Sequence, residues 1–254
     1  MKGFVSNQFT SSPLSATDLH KVRERLIYRH IAWLYALRSQ LLVTTSWEHA
    51  NQRGMVGVYA KRYRNMWGIG LVNDEATEVE LTRFLPEDEY DRLINAKNTA
   101  TQIIDQQSTD LASLRGLGLI DDFRHMELQK ILYDFYVHQG KCERIKKFPL
   151  PRQYASLSFV FVAIFIFLLP FGMISEFTKL GEWGIWLAIP FAVLLGWVFI
   201  MMELVGDYSE NPFEGMGNDI PMLSLCRVIE IDMREMLGET ELPPPIQAKN
   251  DVLM

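Results

Sequence analysis

Two stretches of this chain carry no charge at all, and they set the reading of everything else. Tyr154–Ile174 is YASLSFVFVAIFIFLLPFGMI and Trp183–Met202 is WGIWLAIPFAVLLGWVFIMM. Each is as long as a helix needs to be to cross about 30 Å of hydrocarbon. Core helices of soluble proteins seldom run that far without an ionised side chain. Trp183, Trp186 and Trp197 lie towards the ends of the second run, where indoles favour the membrane interface. Pro170 and Pro190 fall inside the runs, a placement that spans tolerate when neighbouring helices satisfy the freed carbonyls. The pattern predicts a transmembrane helical hairpin.

Before and after the hairpin the apolar positions follow helical spacing. Ser15 and Asp18 form a capping box ahead of LHKVRERLIYRHIAWLYALRSQLL, in which Leu19, Val22, Leu26, Leu34, Leu37 and Leu41 recur as one helix face. Pro86 followed by Glu87, Asp88 and Glu89 reads as a helix first turn with its dipole complemented. LRGLGL at 114–119 is a break, and Asp121 opens a further helix that Gly140 is expected to close. The stretch NQRGMVGVYAKRYRNMWGIG suggests a short helix between Gly-rich bends. After the hairpin, Asn218 or Asp219 can cap a helix with Pro221 in its first turn, ending at Gly238, and Pro243–Pro245 begins a tail. No strand pattern competes and no internal repeat is present. The expected fold is all-α: a cytosolic helical region over 1–153, a hairpin over 154–204 with spans 154–174 and 183–202, and a C-terminal helix and tail over 205–254.

Charge orients this arrangement. The flank from Lys141 to Arg152 carries five cations, whereas the connector Ser175–Glu182 carries one, Lys179. The cation-rich flank belongs in the cytoplasm, so both the N-terminal region and the C-terminus are expected there. The net charge of −6 argues against a nucleic-acid binder. It also hides a polarity: residues 1–153 hold 21 Lys/Arg against 18 Asp/Glu, and residues 203–254 hold 3 against 11. Cys142 and Cys226 are too few and too far apart for a disulfide framework.

Catalytic signatures are missing: no GxSxG, no phosphate-binding Gly-rich loop, no HExxH. The nearest approach to a metal motif is Asp122-Phe-Arg-His125, a single acid–His pair where a di-iron bundle needs two plus further carboxylates. No enzyme activity, metal or cofactor is expected. The phenylalanines 159, 161, 165, 167 and 171 face lipid or a neighbouring helix in the ordinary case and line a gate in the rarer one.

Two segments carry a family resemblance. GKCERIKKFPLPRQY, followed by a span containing LLPFGM, resembles the entry to the third transmembrane helix of bacterial bestrophin-type channels; its matching residues are Cys142, Glu143, Arg144, Ile145, Pro149, Pro151, Pro170 and Phe171. ENPFEGMGNDIPMLSLCRVIEIDMREML resembles the region after the family's fourth helix, through Asn211, Pro212, Phe213, Asn218, Asp219 and Pro221. LIYRHIAWLYALRSQLL is similar to a cytosolic helix of the same family. The resemblance implies a homopentameric ion channel in the bacterial inner membrane, passing chloride in most members and cations in some. It places a cytosolic aperture at Leu150, between Pro149 and Pro151. Each proline fixes φ and removes an N–H, so this one side chain stands on stiff, non-helical backbone. The neighbouring cations, Lys146, Lys147 and Arg152, read as anchors to anionic lipid.

The chain departs from the family at two points. The calcium clasp of animal bestrophins has a run of aspartates where this chain has Glu214-Gly-Met-Gly-Asn218-Asp219, too sparse for the several oxygens calcium takes. Family members also have four spans, with an apolar neck on the second. Neither of the first two spans is here, and MKGFVSNQF resembles the stretch just after them, so the chain is expected to be an N-terminally shortened member. A two-span membrane adaptor without conductance is the alternative.

Overall fold

The computed structural model describes residues 3–67, 81–148, 152–181, 183–217, 219–248 and 253. The chain forms two compact units, Met1–Lys146 with Phe213–Met254, and Lys147–Pro212. Among the described residues all regular structure is helical. The C-terminal helix thus folds in one unit with the N-terminal region.

Unit one is built on α1, Ala16–Leu42, whose N-cap is Ser15: its Oγ accepts from Asp18 N at 3.1 Å. Leu26, Ile31, Tyr35 and Leu41 are fully buried, and so is Arg29 between them. A helix buried on every side is central to its domain, and α1 packs against both α4, Thr99–Gly116, and α8, Met222–Leu237. Several of its buried polar groups find partners on neighbouring helices, as most buried polar groups do. Arg29 reaches Glu89 (2.7 Å) on α3, Glu87–Ile94, and Gln107 (3.0 Å) and Asp110 (2.8 Å) on α4. Tyr35 Oη donates to the fully buried Glu230 of α8 at 2.7 Å, and Arg234 donates to the same carboxylate at 3.1 Å. Gly238 closes α8 in the left-handed conformation, φ 88°, as the sequence predicts.

A turn of 3-10 helix, His49–Asn51, leads into α2, Met55–Trp67, the short helix expected there. The break before α5, Asp122–Lys147, is Gly118 at φ 70°. A Cβ at Gly118 would lie 2.8 Å from Phe9 O, so the N-terminal segment packs directly on the bare backbone. Asp121 caps α5 by accepting from Arg124 N at 2.7 Å. Gly140 does not end this helix, contrary to expectation: α5 continues to Lys147. A helix-interior glycine costs about 1 kcal/mol relative to alanine, and the residues beyond it are held by tertiary bonds strong enough to offset that. Glu143 accepts from Asn98 at 2.9 Å, and Lys146 donates to Phe213 O at 3.0 Å.

Unit two is a helical hairpin: α6, Arg152–Phe177, a turn of 3-10 helix at Thr178–Leu180, and α7, Gly184–Tyr208. Leu157–Leu180 and Gly184–Tyr208 are long and apolar enough to cross a membrane. The helices meet through small residues and interleaved rings, the packing expected where lipid is the solvent. Gly184, Ala188 and Gly196 are buried, with the Cβ position of Gly196 at 3.5 Å from Ile166. Phe165 packs at a tilt against Phe199 (centroids 4.6 Å apart), as does Phe177 against Phe191 (5.4 Å). A polar bond crosses the hairpin from Ser158 Oγ to Glu203 Oε2 at 2.7 Å.

Candidate functional site

The residues singled out in the sequence fall into three places. Pro149, Leu150, Pro151 and Asn218 lie outside the described residues. Pro170 sits inside α6, and Phe171 is exposed beside Phe167 (5.9 Å) on the outer surface of the hairpin. The remaining motif residues belong to the end of α5 and to the segment between α7 and α8.

On α5, Cys142 and Glu143 are half-buried while Arg144 and Ile145 face out. Burial, with the Glu143 charge beside it, pushes the Cys142 thiol up, so the sulfur is held in its protonated, unreactive form. Glu143 ties the helix to Asn98 and accepts from Gln139 one turn back on α5 itself. Between α7 and α8, Asn211 and Phe213 are buried, and Pro212 is partly so. Asp219 Oδ2 accepts from Gly215 N (2.7 Å) and Met216 N (3.0 Å), closing a tight loop ahead of α8, which begins after Pro221.

The structure joins these two motif regions through Lys146. This residue is no lipid anchor, as the cation run suggested: it is only 3% exposed, and its ammonium forms an ion pair with Glu48 (2.5 Å) while donating to Phe213 O. Glu48 is itself fully buried, with Arg64 at 4.0 Å on its other side. Arg64 also donates to Leu42 O at 3.1 Å. His49 completes the group, its Nδ1 2.8 Å from Glu214 Oε2 and its backbone N–H donating to Glu214 Oε1 at 3.2 Å. Burial lowers the pKa of Lys146 and of Arg64, and the Glu48 carboxylate opposes it in both. Desolvation raises the Asp219 carboxyl to about 6 despite its backbone donors.

Glu48, His49 and Arg64 carried no signal in the sequence. They lie in a stretch without a motif, and their partners stand far along the chain. Glu214 and Asp219, which occupy the positions of the animal calcium clasp, are engaged instead with His49 and with loop amides. Among the described residues no three His, Cys, Asp or Glu side chains gather as a metal site requires. Asp122, from the weak acid–His pair, is exposed and pairs with Arg115.

A sequence profile of bacterial and fungal bestrophin proteins matches residues 5–235, which takes in the hairpin, both motif regions and nearly all of unit one. The chain belongs to the bestrophin family. This bestrophin is 28% identical over 167 residues to the voltage-dependent anion channel-forming protein YneE of Escherichia coli (strain K12), covering 65% of this chain and 52% of that protein. It is 31% identical over 147 residues to the voltage-dependent anion channel-forming protein mll4386 of Mesorhizobium japonicum, covering 58% and 45%. The chain therefore spans about half the length of these curated relatives. Its fold is that of the crystal structure of a bacterial bestrophin homolog from Klebsiella pneumoniae, with a TM-score of 0.67 at 20% identity over 87% of this chain and 68% of that one. With two apolar helices in a family of channel-forming relatives, this bestrophin is a membrane protein.

Proposed function

We propose that this bestrophin is a subunit of a passive anion channel, with chloride as the permeant ion, and that it is not an enzyme. The observation that carries the reading is the family match over residues 5–235, joined to relatives named as voltage-dependent anion channel-forming proteins. The subunits assemble as a homopentamer in the bacterial inner membrane, with both the N-terminal region and the C-terminus in the cytoplasm. Exposed apolar side chains on unit one support self-association: Phe123, Met126 and Tyr133 on α5, and Leu225, Val228 and Met236 on α8. The hairpin's exposed aromatic and aliphatic surface is its lipid contact.

Leu150 forms the cytosolic aperture, presented between Pro149 and Pro151. A ring of aliphatic side chains admits ions by size and by dewetting, without a fixed charge. A second reading, cation conduction, is favoured by Glu203, Asp207, Glu210 and Glu214 at and after the end of α7, since carboxylates along a path concentrate cations.

Current through planar bilayers, with protein expressed from its whole natural gene in asymmetric NaCl, tests both. A reversal potential near that of chloride supports the anion channel; one near that of sodium rejects it in favour of the second reading; no current rejects both. Leu150→Ala is expected to raise conductance or relax selectivity, and unchanged values would remove Leu150 from the aperture. A detergent-corrected mass of one or two subunits would overturn the pentamer.

A further inference from the structure

The apolar surface of unit one is not uniform in charge. On α5 the exposed Phe123 and Met126 stand beside the exposed Asp122 and Glu127, and on α8 the exposed Met236 stands beside Asp232 and Glu235. On α2 the exposed Met55, Val58 and Tyr59 have the exposed Lys61 and Arg62 beside them instead. From Ala50 to Asn73 the sequence holds four cations and no acidic residue, in a chain whose net charge is −6.

The helical period sorts the residues of α2 onto two faces. Gly57, Ala60 and Arg64 are buried, three positions that 3.6 residues per turn bring to one side. Among the described elements α2 packs on the 3-10 turn before it, so closely that no room is left for a Cβ at Gly57 beside Gln52 O. Arg64 fastens the same side by donating to Leu42 O at 3.1 Å. Met55, Val58, Tyr59 and Arg62 fall on the opposite side, and the first three are 83%, 65% and 50% exposed.

This helix also belongs to the corner of unit one that is tethered to the bilayer. The chain leaves the unit at Lys146 and re-enters it at Phe213, with the apolar hairpin between. The bond from Lys146 Nζ to Phe213 O joins the two points, and Lys146 pairs with Glu48, the residue that opens the 3-10 turn under α2. Apolar side chains with cations among them, held next to a membrane entry, are the chemistry of an interfacial helix. Tyrosine favours the headgroup level, and Lys and Arg reach lipid phosphates with their stems along apolar surface. We propose that the outer face of α2, formed by Met55, Val58 and Tyr59 with Lys61 and Arg62, docks on the surface of the bilayer that the hairpin spans. The apolar side chains enter the headgroup layer and the two cations meet anionic lipid. The acids beside the apolar faces of α5 and α8 disfavour that partner there. Docked, α2 braces the Lys146–Phe213 corner through the turn that carries Glu48. The proposal rests on the hairpin spanning a bilayer and not on ion conduction.

Fluorescence quenching in vesicles tests the contact. The whole chain carrying Val58→Cys is labelled with a thiol-reactive fluorophore and reconstituted in phosphatidylcholine and phosphatidylglycerol, with part of the phosphatidylcholine bearing a nitroxide on its acyl chain. The native thiols, half-buried Cys142 and buried Cys226, stay in place, and wild-type protein taken through the same labelling is the blank. Lipid nitroxide quenches a label that touches the bilayer, and aqueous iodide quenches one open to water. The label at 58 is expected to respond to the nitroxide and little to iodide. A label on Leu117→Cys, an exposed position at the end of α5 far from Lys146, is expected to do the reverse. Lys61→Gln with Arg62→Gln should lower the ratio of docked to undocked helix by about fivefold for each cation removed, and vesicles of phosphatidylcholine alone should lower it likewise. Iodide quenching at 58 equal to that at 117 overturns the proposal. So does shielding from both quenchers, as beneath a second copy or another protein, and so does lipid quenching indifferent to the two cations and to phosphatidylglycerol. Met55→Cys repeats the measurement on the same face should Val58→Cys fold poorly.

Discussion

In unit one the deeply buried positions are Leu26, Ile31, Leu111 and Leu128, together with the charged Arg29, Glu48 and Glu230. In the hairpin they are Gly184, Ala188 and Gly196, while Phe167, Trp183, Val193 and Met202 point outward. The same chain thus places its residue types at opposite addresses, and solvent is the reason. In water, large apolar side chains gain by leaving solvent, about 25 cal/mol for each Å² removed. In lipid that gain vanishes, and close backbone approach at small residues holds helices together instead. Charges follow the same division. Unit one can bury them because helices on several sides supply partners, whereas each helix of unit two has its one neighbour, reached by the Ser158–Glu203 bond.

The comparison breaks most readily at Arg29. Replacing it with Leu leaves Glu89 and Asp110 without the buried guanidinium that reaches both, so unit one is expected to lose about 3–5 kcal/mol. Denaturant unfolding monitored by circular dichroism would measure this. A loss below 1 kcal/mol would mean that the ion cluster is not a structural tie between α1, α3 and α4.

A paired truncation tests the reversal of burial itself. Leu111→Ala, at a site with 0% exposure, is expected to cost about 2–5 kcal/mol in unit one. Phe167→Ala removes a larger side chain that is 69% exposed, and in detergent its effect is expected to stay within about 0.5 kcal/mol. Equal losses from the two would place Phe167 in a packed interior and undo the reading of the hairpin surface as a lipid contact.

How much of this was legible in the sequence depended on the range of the cause. The hairpin follows from run length alone, and Ser15 and Gly238 are local caps, visible before any fold is known. Gly140 misled because the helix beyond it is held by Asn98, Glu48 and Phe213, none of them near it in sequence. Lys146 sits in a run of cations that reads as a membrane flank, and only its pairing with Glu48 takes it inside. Arg29 stands three residues after Leu26 and seven after Val22, at the edge of the leucine stripe of α1, where a charged residue in an ordinary amphipathic helix reaches out to solvent. It is buried because α1 has helices on more than one side. Periodicity describes one face at a time, so it finds the core stripe and misses a helix enclosed all round.

Acid sharpens the contrast within unit one. His30 lies between Trp33 (5.2 Å) and Phe135 (4.7 Å), and desolvation lowers its pKa to about 4. A histidine kept neutral by the fold contributes stability above its unfolded value near 6.5, and that stability is lost as pH falls towards the folded one. Unfolding free energies between pH 6.5 and 4.5 should decline by about 1 kcal/mol per unit from this residue. His30→Phe should flatten that slope. An unchanged slope would show that the ring is protonated in the folded protein.

The smallest effect is expected at the Ser158–Glu203 bond across the hairpin. Ser158 Oγ and Glu203 Oε2 lie 2.7 Å apart near the ends of α6 and α7. Polar bonds between membrane helices average about 0.6 kcal/mol, because the separated helices find other partners. Ser158→Ala should therefore change the hairpin's stability by less than about 1 kcal/mol. Gly196→Leu, by contrast, forces a branched side chain towards Ile166, where a bare Cβ is already in contact at 3.5 Å, and overpacking of this kind costs about 1–3 kcal/mol. Steric trapping of the protein in bicelles would rank the two. A larger loss from Ser158→Ala than from Gly196→Leu would reverse the order, making the hydrogen bond rather than the close glycine contact the main tie of the hairpin. Unit two would then be held, like unit one, by its buried polar groups.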